Sequence, residues 1–235
     1  MFFNALFMSV LGIFSSLIGG AIPFFIKIKS VNRINCLYEF VSGIMVGIVC
    51  ISMIPESIQI SGIMITLLGI ILGTFFIFFI DLVILKRSKN NKFHKLILII
   101  FSMAFHNIIE GIAVGASLEY SFSLGITIFL AMFLHDIPEG MIVGVANLDS
   151  GKSKYDLVKN SFIVGIFSGI GIFIGIFFGS ISDLYTSLSL SVSSGAMLYI
   201  VTKTFIPTDG ENTNSHLLSF SFILGILLSA MITKL

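Results

Sequence analysis

Apolar runs of about 20 residues, separated only by short polar connections, recur along the whole of this sequence. A helix rises 1.5 Å per residue, so such a run matches the ~30 Å hydrocarbon core of a bilayer. Lipid offers no partner to a bare N–H or C=O, and a single segment can satisfy its own backbone there only as a helix. Eight runs qualify: 2–26, 35–55, 62–84, 96–118, 122–147, 158–180, 187–206 and 216–233. The expectation is an all-α polytopic membrane protein of eight transmembrane helices, with residues 1–235 forming a single transmembrane domain. Short connections should make neighbours in sequence antiparallel neighbours in space. With 56% hydrophobic and 11% charged residues, the chain is unlike an ordinary soluble domain. Its net charge of +1 argues against nucleic acid as a partner. Cys36 and Cys50 form neither a CxxC nor a disulfide framework. No positive charge precedes the first apolar run, which argues against a signal peptide.

Lys and Arg set the expected orientation. The first connection carries Lys27, Lys29 and Arg33, the third Lys86, Arg87, Lys89, Lys92 and Lys95, and the fifth Lys152 and Lys154. The second, fourth and sixth carry acids such as Glu56, Glu119 and Asp183, and no Lys or Arg. Odd connections are therefore cytoplasmic and both termini lie outside, in a multi-pass protein of the cell (plasma or inner) membrane. The seventh connection, with Thr208-Asp209-Gly210-Glu211, is the exception to the pattern.

Within the fourth and fifth runs one polar pattern occurs twice, as His106-Asn107-Ile108-Ile109-Glu110-Gly111 and His135-Asp136-Ile137-Pro138-Glu139-Gly140. Residues four apart share a helix face, so His106 stacks with Glu110 and His135 with Glu139. Three acids near the bilayer centre cost roughly 8–10 kcal/mol at about 2.5–3.5 each, which points to a use. Two imidazoles and two carboxylates suit Zn²⁺ or Fe²⁺, and also Mn²⁺ or Cd²⁺. Small residues at matching places, Gly111 with Gly140 and Gly115 with Gly144, are expected to bring the two faces together. Pro138 withholds an amide proton from the Leu134 carbonyl and should kink the fifth span. Two rival readings remain. In one, the His and Glu residues are polar glue between helices. In the other they serve an intramembrane metal hydrolase, although the spacing is HxxxE and no HExxH occurs.

At these residues the chain resembles the ZIP (Zrt/Irt-like) family of divalent metal transporters, in its bacterial branch. The resemblance extends to eight spans, outside termini and paired H-N-x-P-E-G-type motifs on the fourth and fifth helices. It implies a primary metal site of His106, Glu110, His135 and Glu139. A second site would use Asn107 and Asp136, with Glu110 and Glu139 bridging. It also implies that the protein is not an enzyme: Zn²⁺, Fe²⁺, Mn²⁺ or Cd²⁺ would be transported substrate, not cofactor. Its partners would be metal ions, the lipid bilayer and, in a homodimer, a second copy. The segment from Phe40 to Glu56 resembles the family's second span, where Met45 stands either as a soft ligand or as a core residue. Gly195-Ala196-Met197-Leu198-Tyr199 resembles the start of the seventh. Ile172 stands where many relatives carry a Glu on the sixth span. Lys203 and Thr204 precede Pro207 where relatives have acids, and Ile109 replaces a Pro. These departures imply an intact primary site and a second one weakened or absent, and they leave a metal sensor or other non-transporting homologue as a third rival reading. Because ligands must be deprotonated, metal uptake is expected to weaken at acidic pH.

Overall fold

The structure, a computed structural model, describes residues 2–25, 31–85, 92–202 and 215–233. The described residues form helices α1 (Phe2–Phe25), α2 (Val31–Ile48), α3 (Ile54–Ser61), α4 (Ile63–Leu85), α5 (Lys92–Tyr120), α6 (Phe122–Asp149), α7 (Lys154–Gly179), α8 (Asp183–Ile200) and α9 (Ser215–Ile232). A π-helical turn, Val49–Met53, joins α2 to α3 in one continuous rod. Pro55, in the first turn of α3, accounts for it. Its ring would collide with the carbonyl four residues earlier, at Ile51, and a wider turn removes that contact. Lys27, Lys29, Lys86, Arg87, Lys89 and the stretch 203–214, including Lys203, Thr204 and Pro207, lie outside the described residues.

Among the described residues six helices are long and apolar enough to cross a membrane: Phe2–Phe25, Glu39–Ser61, Ile63–Ile80, Ile99–Tyr120, Phe122–Leu148 and Lys154–Gly179. This is two fewer than the sequence reading. The apolar stretch of α9, His216–Ile232, is shorter. In α8 the reason is serine. Ser187, Ser191, Ser193 and Ser194 are fully buried on that helix beside Leu190 and Met197. A helix enclosed by others needs no apolar outer face.

Hydroxyls also tie α8 in place. Ser57 of α3 lies 2.9 Å from Thr66 Oγ1 on α4 and 2.8 Å from Ser187 Oγ on α8, and it donates to the Ser187 carbonyl. Ser57→Ala should therefore lower stability by about 1 kcal/mol, checked by thermal unfolding of the purified protein in detergent.

Glycine seams organise the rest, and two of them flank α5 and α6. Helix α5 packs most extensively on α7, and α1 packs on α6. A Cβ on Gly115 would stand 2.0 Å from the Ile172 carbonyl oxygen, and one on Gly171 would stand 2.4 Å from that of Ile108. Across the other seam a Cβ on Gly19 would meet the Ile137 oxygen at 1.9 Å, and one on Gly140 the Ser16 oxygen at 2.6 Å. This corrects the expectation that Gly111, Gly115, Gly140 and Gly144 draw α5 and α6 together. Each glycine follows its glutamate by one residue or by five, and so lies about 100–140° around the helix. With Glu110 and Glu139 turned toward the α5–α6 boundary, the glycine faces turn to a third helix, α7 in one case and α1 in the other.

A candidate metal centre between two helices

Helices α5 and α6 are joined by Ser121 alone and run back to back as a hairpin. Both polar faces fall on their shared boundary. His106, Asn107, Glu110, His135, Asp136 and Glu139 are all buried, none more than 4% exposed. His106 Nε2 lies 3.2 Å from Glu110 Oε1 and 3.2 Å from Glu139 Oε1. His135 Nε2 lies 3.0 Å from Glu110 Oε2, the one hydrogen bond in the group, and 3.9 Å from Asp136 Oδ1. The two imidazole rings stand 6.3 Å apart, centre to centre.

These side chains aim at a common space more than at one another. His106 Nε2 is within ion-pair range of two carboxylates yet has no hydrogen bond of acceptable angle. Glu110 Oε1, both oxygens of Glu139, Asp136 Oδ1, Asn107 Oδ1 and Nδ1 of both histidines are likewise buried without a hydrogen-bond partner. Buried polar groups are nearly always satisfied, so so many orphans in one place call for a ligand. Two sets of donor atoms lie within 4.8 Å of one another: His106, His135 and Glu139, and Glu110, His135 and Asp136. The residue common to the two sets is His135, where the resemblance led one to expect the two glutamates.

The remaining expected residues divide. Asp136 Oδ2 lies 3.0 Å from the hydroxyl of Ser15 on α1, whose single proton is shared between that carboxylate and the Gly12 carbonyl at 2.7 Å. Asn107 donates through Nδ2 to the Val164 carbonyl of α7 at 3.2 Å, which leaves only its Oδ1 uncommitted. Met45 is completely buried in the apolar core. Ile172 is also fully buried and apolar, and Ser168, one turn before it, donates to Met132 Sδ at 3.6 Å. Ser15 was not foreseen from sequence. Its signal was present in the small-residue stripe Gly12, Ser15, Ser16, Gly19 and Gly20, which marks a helix packed closely on a partner.

The arrangement belongs to a class of protein: a multi-pass helical membrane protein that encloses imidazoles and carboxylates within its bundle, where they fit a metal ion. A sequence model described as ZIP Zinc transporter matches residues 91–233, more than half of the chain, and the protein belongs to the ZIP zinc transporter family. Its function is therefore divalent metal transport, and it is not an enzyme. No curated protein matches the chain.

Proposed function

We propose that the protein takes up divalent metal cations, zinc foremost, toward the cytoplasm through His106, Glu110, His135 and Glu139 on α5 and α6. The observation that carries this reading is the convergence of four buried side chains, most of whose donor atoms lack hydrogen-bond partners. Two carboxylates and two neutral imidazoles offset the charge of a divalent cation, which removes most of the penalty of burying any of the three charges alone. Mixed imidazole and carboxylate ligation also suits reversible binding, since a transport site must release what it captures. Asp136 and Asn107 form a weaker second position: α7 meets Asn107 with the Val164 carbonyl and carries no acid beyond Asp156.

The proposed topology keeps all eight rods as spans, α8 and α9 included, in one domain over residues 1–235. Both termini lie outside and the protein sits in the plasma or inner membrane. Lys152 and Lys154 mark the α6–α7 turn as cytoplasmic. The short, basic α4–α5 connection fits the bacterial branch of the family.

Proteoliposomes loaded with a metal-sensing dye test the reading. Wild-type protein should pass zinc, and His106→Ala and Glu139→Ala should reduce the flux to background. Flux unchanged in both variants would sink the site assignment, and metal bound without flux would make the protein a sensor.

A further inference from the structure

On the side of the centre nearer the α5–α6 turn lies a narrow cavity, with room for about one water-sized group. Glu110 and His135 form part of its wall, and Met53, Met132, Met197 and Ser193 line it together with apolar neighbours. Three observations set it apart from ordinary core packing. Met53 comes from the π-helical turn, an element rare in proteins and frequent at functional sites. Ser193 and Met197 are four residues apart on α8 and so share one face. Ser193 Oγ is buried without a hydrogen-bond partner, whereas Ser191 and Ser194 beside it each donate back to a carbonyl of their own helix. An unsatisfied hydroxyl, three thioethers, a carboxylate and an imidazole thus border one small space. Met132 is set aside as a donor because its sulfur already accepts from Ser168.

We infer that this cavity is a soft-donor subsite, in which Met53, Met197 and Ser193 receive a partly dehydrated thiophilic divalent cation, zinc or cadmium, beside Glu110 and His135. Thioethers favour soft ions, while manganese prefers oxygen, so the subsite biases the protein toward cadmium and zinc over manganese. The inference rests on the reading that α5 and α6 carry the metal.

Full-length protein labelled with selenomethionine and loaded with cadmium should show a selenium shell around the metal by X-ray absorption. The shell should be lost or much reduced in the volume-conserving double variant Met53→Leu/Met197→Leu. In proteoliposomes that variant should lower the cadmium-to-manganese flux ratio severalfold and leave manganese flux near wild type. A shell of nitrogen and oxygen only, a selenium shell undiminished in the double variant, or an equal fall in both fluxes overturns the subsite and leaves the proposed function standing. Wild-type protein that binds no cadmium and passes no zinc overturns both.

Discussion

Replacing Glu110 by glutamine should abolish metal binding and transport while leaving a folded protein. Glu110 is the one carboxylate in contact with both imidazoles, through Oε1 to His106 at 3.2 Å and through Oε2 to His135 at 3.0 Å. Glutamine keeps the shape but turns one acceptor into a donor and removes the charge. Removing one partner of a buried charged contact in a binding site typically costs about 2–5 kcal/mol, which corresponds to a loss of roughly one and a half to three and a half orders of magnitude in affinity. Asp136→Asn should cost less, about tenfold, because Asp136 Oδ1 stands 3.9 Å from His135 and its other oxygen is already held by Ser15. Calorimetric zinc titration of the purified variants decides between them. If Asp136→Asn proves the more damaging, the ion sits on the Asp136 side of His135.

Gly115→Val should be the most destructive substitution away from the centre. The new Cβ would stand 2.0 Å from the Ile172 carbonyl oxygen and 2.9 Å from the Ile176 nitrogen, both backbone atoms with no freedom to rotate away. Overpacking a core usually costs about 1–3 kcal/mol, and more where the backbone itself is in the way. Forcing α5 from α7 would also displace Glu110, little more than one turn from Gly115. The expected result is little or no monodisperse protein in detergent and no zinc flux. Gly12→Ala provides the contrast: its Cβ meets the Ser168 hydroxyl at 3.2 Å, a side chain able to turn aside. Wild-type thermal stability in Gly115→Val would refute the seam.

Much of this was legible in the sequence, for identifiable reasons. The helical period alone placed His106 over Glu110 and His135 over Glu139, and a turn near 119–121 left α5 and α6 little choice but to fold back on each other. The partners of the glycine faces were not legible, because a small residue announces close approach without saying to what. Gly111 and Gly140 point to α7 and α1, and only three-dimensional packing distinguishes these from each other. The sequence reading counted α8 among its spans, but serines buried against other helices leave it outside the six candidate spans among the described residues. Pro55 was visible, but the π turn it imposes, and with it the placement of Met53, depends on which carbonyl the ring would strike. Ser15 escaped notice because a hydroxyl in an apolar run usually bonds its own helix, as Ser15 does to the Gly12 carbonyl at 2.7 Å, and its added contact with Asp136 depends on how α1 packs against α6.

The serines of α8 bear on how the protein comes to exist in the membrane. On the proposed topology eight segments must enter lipid, yet among the described residues α8 is not one of the six helices long and apolar enough to cross a membrane. A segment of this kind gains little by meeting hydrocarbon directly, since each serine it carries is better placed against protein. Its insertion should wait for the helices already threaded ahead of it, above all α4 and α5, which supply the surface it covers. The order of synthesis is then also an order of assembly. The wall of the cavity that holds Ser193 and Met197 closes only after the helices bearing the four proposed ligands are in place.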